Sequence, residues 1–420
     1  MFKNLRQIFN PKNKDLRKRI GFSLFGLLIF AVGTTIVVPG TAPIDDNIGF
    51  LEIFNAMSGG ALKSYSIFGL GVMPYISASI LMSLLQMDII PYFSELKKDG
   101  HRGQQKLNQI TRYVGILFAF IQGFAIAFAF PTSGNNSALE YLRISVIMTG
   151  GTAFLLWLGD QMTQKGIGNG MSLIIMAGII GTLPQMFIDA FTSLVSTNGN
   201  SFMGIVSFSL FILIYLIIVI GVVFVEKSER RVPIQYANQT SSAYGKKQSY
   251  LPFRLNSAGV TPVIFASALI SIMSLLASVI KNGDFQNFVT NYIEYTTPTG
   301  LVLYIILIFF FCYFYTFLQM NPEEMSKNLN KNGGYIPGIR PGKETTTYIK
   351  KVLSRLTFVG SIFLVIISIM PIIFGSFIDT GLPASVSIGG TSILIVVGVA
   401  LETYRQLESS LVNRSYKGGK

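Results

Sequence analysis

The sequence predicts an all-α polytopic membrane protein, ten transmembrane helices in two inverted five-helix halves, and three observations carry that prediction. Half of the 420 residues are hydrophobic and only 13% are charged, at a mean hydropathy of +0.53, a balance foreign to soluble domains of this size. Apolar runs of about 18 to 23 residues, long enough to cross a hydrocarbon core of about 30 Å, recur ten times along the chain. A motif in the second run returns five runs later, read in the opposite direction through the membrane.

The spans are expected at 20–38, 67–87, 112–130, 141–159, 171–188, 203–225, 258–280, 300–319, 356–378 and 387–402. The first follows seven basic residues in MFKNLRQIFNPKNKDLRKRI; with no small-residue cleavage site after it, it reads as a retained span rather than a signal peptide. Before span two, FNAMSGGALKSYS (54–66) is unusual. Gly59, Gly60 and Lys63 make it too polar for lipid, yet it is too apolar for an ordinary loop.

Net charge is +13, and placing the N-terminus in the cytoplasm puts all but Lys63, Arg143 and Lys281 of the 33 lysines and arginines on cytoplasmic segments or helix ends, as the positive-inside rule requires. Both termini are then cytoplasmic. The basic loops are 88–111, 226–256 and 320–355. The last two are far longer than the roughly 2 to 8 residues that join helices in bundles, and GGYIPGIRPG has the Pro and Gly of stiff turns. Long, ordered, basic loops on one face suggest docking of something large and acidic, ribosomal RNA or an acidic protein. The N-terminal cluster needs no more than contact with anionic membrane lipids.

In span two, GVMPYISAS (71–79) matches GVTPVIFAS (259–267) in span seven at Gly, Val, Pro, Ile, Ala and Ser; GMSLII (170–175) opening span five echoes GTSILI (390–395) opening span ten. Paired Gly/Pro-interrupted segments of an inverted repeat point to a working site at the interface of the halves. A proton- or ion-coupled carrier needs ionisable groups there, but Asp160 and Glu226 fall at helix ends and the repeats offer Ile76, Ile80, Ile175, Ile264 and Ile395. An isoleucine ring forms a dewetted constriction that blocks ions and water. That suits a pore; an inverted-repeat small-solute transporter is the alternative.

Cys312 and His101 are the only residues of their types, which leaves neither a disulfide framework nor a zinc cluster. With no GxxxxGK[ST] phosphate loop and no convergent acid–base residues, no cofactor and no enzymatic activity are expected.

GVMPYISASI, GIGNGMS, ERRVPIQYA, NSAGVTPVIFAS, GGYIPGIRPG and GGTSILIVV, in this order and over essentially the whole chain, resemble the SecY family of protein-conducting channels of the bacterial plasma membrane. The resemblance implies a clamshell around an hourglass pore, its halves spanning 1–190 and 200–420, with Ile76, Ile80, Ile175, Ile264 and Ile395 as the ring. It makes the stretch near 54–66 a re-entrant plug, with Phe54, Asn55, Met57, Gly59, Gly60 and Ser64 as its residues, which Gly59, Gly60 and Ser64 leave only marginally packed. Spans two and three opposite seven and eight become a lateral gate, across which Gln86, Gln122 and Ser274 could hydrogen-bond. Arg230, Arg231 and Arg340 become contacts for the ribosome and the SecA motor, Arg340 being suited to a bidentate contact. SecE and SecG-like small subunits, signal peptides and nascent polypeptides complete the implied partners. The chain departs from the family's usual pattern at Thr261 and in its YKGGK ending.

Overall fold

The computed structural model describes residues 14–44, 51–86, 90–130, 137–196, 201–236, 249–280, 283–294, 297–377 and 384–417. Much of the N-terminal basic cluster, residues 237–248 of the second long loop and the last three residues of the YKGGK ending therefore lie outside the described residues.

Among the described residues, ten helices of 13 residues or more lie on the ten expected spans. They are α1 (Lys14–Thr34), α3 (Met73–Leu85), α5 (Gly100–Ala129), α6 (Ala138–Lys165), α7 (Gly170–Phe191), α8 (Ser201–Lys227), α9 (Thr261–Val279), α11 (Pro298–Gln319), α13 (Lys343–Phe377) and α14 (Ala384–Lys417). Among the described residues, four short helices accompany them, α2 (Glu52–Met57), α4 (Pro91–Lys98), α10 (Gly283–Phe288) and α12 (Pro322–Lys331). Among the described residues, α5 to α8, α11 and α13 are long and apolar enough to cross a membrane by length and composition alone. Along α8, Phe202, Ile205, Leu213, Ile217, Ile220 and Phe224 are exposed, as expected of a surface whose solvent is lipid.

Helix starts follow from local chemistry. Ser137 accepts from the Glu140 amide in an S-x-x-E box at the head of α6, and Asn169 does the same for Met171 at the head of α7. Thr297 and Asn321 cap α11 and α12, each followed by a proline at the first helical position, where its missing N–H costs nothing.

Several expected boundaries move. Loop 88–111 is largely helical, formed by α4 and a first part of α5 that begins twelve residues before the expected start of span three. Helices α13 and α14 likewise run past their apolar stretches into KETTTYIKK and ETYRQLESS. Hydropathy marks only the part of a helix that lipid selects, and these extensions are held by packing outside it: Ile349, Val352 and Leu353 of α13 are buried in one cluster and Leu407 of α14 packs against Leu16 and Ile167 in another. Span two shortens instead: residues 67–72 are turns, and α3 begins only at Met73.

The two long basic loops form one body. Strand β1 (Glu229–Tyr236) pairs antiparallel with β2 (Ser249–Arg254), in the register Glu229 to Arg254 and Arg231 to Pro252, and on its other end with β3 (Gly334–Tyr335), where Gln235 faces Tyr335. The sheet order is β2–β1–β3. Alternation along β1 buries Val232 and Ile234, which join Phe253, Leu329, Ile336, Ile349, Val352 and Leu353 in a hydrophobic core separate from that of the spans. Phe253→Ala is expected to remove about 3–5 kcal/mol from this small core. Limited proteolysis should then cut loops 226–256 and 320–355 together; cleavage of the first alone would mean that the loops are not one unit.

Candidate functional site

The repeated motif is a helix start. Gly71 and Gly259 have φ of 55° and 64°, the left-handed region that glycine occupies freely. Val72 and Val260 follow as caps, and Pro74 and Pro262 sit in the first turn. In both copies the isoleucine amide closes the first turn onto the cap carbonyl, Ile76 to Val72 at 3.2 Å and Ile264 to Val260 at 3.3 Å. The second motif pair is not equivalent: GMSLII opens α7, but α14 begins at Ala384, so GTSILI lies inside a running helix. Nothing at 390 interrupts the hydrogen-bond ladder as the Gly-Val-x-Pro turn does at 71 and 259.

At 13 residues, α3 spans about 20 Å, short of the hydrocarbon core. Walled-in backbone supplies the rest. The Thr152 hydroxyl donates to the Gly71 carbonyl at 3.2 Å, and Gly151 lets the Ile67 carbonyl approach so closely that a Cβ there would lie 1.9 Å from it. Non-helical backbone at membrane depth is tolerated where protein encloses it.

Two cavities lie at opposite ends of α7. One, of about 280 Å³, is lined by Asn169, Ser172 and Ile175 of α7, by Val260, Thr261 and Ile264 of the α9 start, and by Ile395, Gly398 and Glu402 of α14. The other, of about 320 Å³, is lined by Thr182, Gln185 and Asp189 further along α7, by Ser392 of α14, and by Glu52, Asn55, Gly59, Gly60 and Lys63. Since α7 and α14 pack together and their residues pass from one cavity to the other in opposite order, they run antiparallel, with Ile175 and Ile395 at the level between. Ile175, Ile264 and Ile395 thus share one cavity. Ile76 and Ile80 line neither of these cavities; both are buried on α3, which packs on α9.

The 52–66 stretch lies against α7 and α14 and lines the 320 Å³ cavity. Phe54, Asn55, Met57, Ala61 and Leu62 are buried, while Gly59, Gly60 and Ser64 are half-buried. Packing is therefore tight rather than marginal, because the glycines allow close approach: a Cβ at Gly178 of α7 would lie 2.4 Å from the Met57 carbonyl oxygen and 3.0 Å from the Gly59 nitrogen. A polar net holds the stretch as a unit. Lys63 pairs with Glu52 at 3.1 Å, the Asn55 side chain donates to Glu52 at 3.3 Å, and it accepts from the Lys63 amide at 3.1 Å. Tyr65, the one non-glycine residue described with positive φ (48°), donates from its hydroxyl to the Phe130 carbonyl at 2.8 Å. That bond anchors the return of the stretch to the end of α5.

Helix α9 packs against both α3 and α5, which brings the expected gate helices together. The expected hydrogen bonds across them are not formed. Gln122 is buried on α5 and Ser274 half-buried on α9, but Gln122 Oε1 and Ser274 Oγ are buried atoms without a partner among the described residues. Gln86 caps the end of α3, its amide bonded to the Met82 carbonyl. A buried polar atom left unpaired costs about 1–3 kcal/mol, so these groups weaken the seam that apolar packing closes.

Arg230, Arg231 and Arg340 are all exposed on the three-stranded body. Arg231 is already engaged, pairing with Glu229 at 2.7 Å and lying over the Tyr250 ring at 4.7 Å. Arg340 stands between Gly338 and Gly342, both with positive φ, at the tip of a turn whose carbonyl Thr345 holds at 2.9 Å.

Several residues that shape the site escaped the sequence reading, among them Glu52, Gly178 and Asn256. Only the Glu52–Lys63 pair left a signal, opposite lone charges eleven residues apart in an apolar stretch.

A family model described as SecY matches residues 66–404. Protein translocase subunit SecY of Bacillus subtilis (strain 168) is 45% identical over 431 residues, covering 100% of this chain and 99% of the relative. The subunit of the same name from Staphylococcus aureus (strain NCTC 8325 / PS 47) is 47% identical over 420 residues, covering 97% of each. Among solved structures, a protein-conducting channel aligns with a TM-score of 0.69 at 17% identity over 96% of this chain and 94% of its own. Sec61 in the canine ribosome–channel complex aligns at 0.67 and 18% identity, again over 96% and 94%. At those identities the structures speak for the fold.

Proposed function

The chain belongs to the SecY family, and on that premise we propose how its parts serve a protein-conducting channel. The channel passes unfolded secretory polypeptides across the membrane and releases hydrophobic segments sideways into lipid; it is a conduit and not an enzyme, and the small-solute transporter reading is set aside with the family. The observation that carries the assignment is the pair of cavities stacked along α7, separated at the level of Ile175, Ile264 and Ile395 and stoppered on one side by residues 52–66.

In this reading the isoleucines seal the waist around nothing or around any passing chain, because branched apolar side chains yield without demanding a sequence. Residues 1–190 and 200–420 act as two inverted halves that part along α3, α5 and α9. With both termini in the cytoplasm of a bacterial cell, the β1–β2–β3 body faces the cytoplasm. It docks the ribosome through acidic RNA and the SecA motor through Arg230, Arg231 and Arg340. SecE and SecG-like subunits, signal peptides, nascent chains and lipid bear on the membrane-embedded surface. Opening is a shift between populated closed and open states, driven by whichever partner binds the open one better.

The test is a disulfide. In a Cys312→Ser background, Ile264→Cys should crosslink to a cysteine in the mature part of a stalled secretory chain, only when the signal sequence is functional. Cysteine at Ile366, exposed on α13, should not. A chain demonstrably engaged that never reaches 264, 175 or 395 would refute the central-pore assignment.

A further inference from the structure

The mouth of the inner cavity holds a carboxylate that permeation does not require. Glu226 lies in the last turn of α8 and is only 9% exposed. Withdrawing a carboxylate from water costs several kcal/mol unless it is well hydrogen-bonded, and here Asn256 Nδ2 donates to Glu226 Oε1 at 2.7 Å. The same Nδ2 donates to the Gly259 carbonyl at 3.0 Å, inside the turn that starts α9. From the other side, Arg405 of α14 donates through Nη2 to the Glu226 backbone carbonyl, capping the end of α8. One residue therefore joins both helices that carry Ile264 and Ile395.

The same residue also stands at the root of the cytoplasmic body. Strand pairing begins at Glu229 and Arg254, the Leu255 amide closes onto the Ser228 carbonyl at 3.0 Å, and Asn256 follows at once. Between the last strand residue and the first residue of α9 lie six residues, 255–260. Their start is held by Ser228, their middle by Glu226, and their end packs on α14, where a Cβ at Gly398 would lie 2.7 Å from Val260 Cγ1. No slack remains between the hairpin and Ile264, four residues beyond Val260.

We propose that Glu226 is a positioning residue for gating. Through the bond of its side chain to Asn256 it makes the hairpin root and the first turn of α9 move as one body, while its backbone carbonyl, held by Arg405, ties the end of α8 to α14, so that a large polyanionic partner seated on the hairpin displaces Ile264 directly. This rests on the docking reading of the hairpin. A residue with a merely structural role would lower folding and binding alike; a positioning residue separates binding from opening.

The experiment uses the assembled channel in vesicles, with ribosomes stalled on a secretory chain as the probe. Affinity is read by co-flotation, and opening by the distance between spin labels on α3 and α9. Glu226→Ala and Asn256→Leu should bind with unchanged affinity yet open about tenfold less on docking. Glu226→Gln, which keeps an acceptor oxygen at the same reach, should open as the parent does. Full opening in Glu226→Ala, or opening lost only in proportion to affinity, overturns the proposal. A partner-free arm separates it from the docking reading: hydrogen exchange at 261–266 should quicken in Glu226→Ala and stay at the parent rate in Glu226→Gln, while 395–402 keeps the parent rate in both, since Arg405 binds a backbone carbonyl that neither substitution removes. Unchanged exchange at 261–266 in Glu226→Ala overturns the coupling even if ribosomes dock elsewhere.

Discussion

Gly178→Ala is expected to unseat the plug and raise its exposure about tenfold or more. Alanine inside a helix is ordinarily better than glycine by about 1 kcal/mol, so helix propensity alone predicts a gain in stability. The contact predicts the reverse for the plug. The added Cβ would lie 2.4 Å from the Met57 carbonyl oxygen and 3.0 Å from the Gly59 nitrogen, and both are backbone atoms that cannot rotate away. Overpacking of this kind costs about 1–3 kcal/mol, and each 1.4 kcal/mol is about tenfold in population. The plug, being the smaller and more loosely connected partner, gives way. Gly181 provides the control, since on the same helix a Cβ there meets nothing within 4 Å. In a Cys312→Ser background, Ser58→Cys reports directly, because position 58 is fully buried and the exchange is nearly isosteric. An aqueous thiol reagent should label it about tenfold faster with Gly178→Ala and no faster with Gly181→Ala. Equal rates in all three would mean that the plug is not held at Gly178.

What could be read from the sequence follows from what each feature requires. Ten spans were visible because lipid imposes composition over a fixed length. Their ends were not, because KETTTYIKK and ETYRQLESS extend helices through packing of Ile349 and Leu407 outside the lipid, where hydropathy is silent. The Gly-Val-x-Pro motif was legible as a repeat, and the structure adds its reason: a positive-φ glycine, a valine cap and a first-turn proline build the same helix start twice. GTSILI carried residue likeness without that backbone event, so its likeness to GMSLII did not extend to structure. Gly178 could not be picked out, since its importance lies in a contact with residues about 120 positions earlier. The union of the two basic loops was equally hidden, resting on a two-residue strand, Gly334–Tyr335, too short for any periodicity to announce.

These features hold the parts of the structure with unequal strength. The plug is held by backbone contact at Gly178 and by its own polar net of Glu52, Asn55 and Lys63. Helices α5 and α9, which pack together, each carry a buried polar atom without a partner among the described residues, Gln122 Oε1 and Ser274 Oγ. A gate that parts before its stopper moves lets a hydrophobic segment enter while the membrane stays sealed. The net inside the plug then lets the segment 52–63 leave its seat whole rather than unravel.

Serine in place of Ile175, Ile264 or Ile395 is expected to make the idle channel leak ions, while serine at Ile80 is expected to weaken the fold instead. The first three line a cavity whose other end is polar, with Asn169, Glu226, Arg254, Glu402 and Arg405, so water can reach the isoleucine level and is stopped there by an apolar constriction. Exchanging one isoleucine for a hydroxyl removes an apolar burial of about 1.5–3 kcal/mol and gives water a partner inside the constriction. A barrier lowered by that much corresponds to about ten- to a hundredfold in flux. Ile80 is buried on α3 and lines neither cavity. Its truncation leaves a void in the packing, at about 2–5 kcal/mol by analogy with isoleucine to alanine, without wetting the path. Iodide entry into vesicles holding the channel and no translocating chain measures the first effect, and thermal unfolding in detergent measures the second. Valine at 175, 264 or 395 should retain the seal, since it keeps the branched apolar surface. If serine at 80 leaks as much as serine at 264, the barrier is spread over the whole core rather than concentrated at the level where α7, α9 and α14 meet, and the three-residue waist is the wrong description of how this channel stays closed.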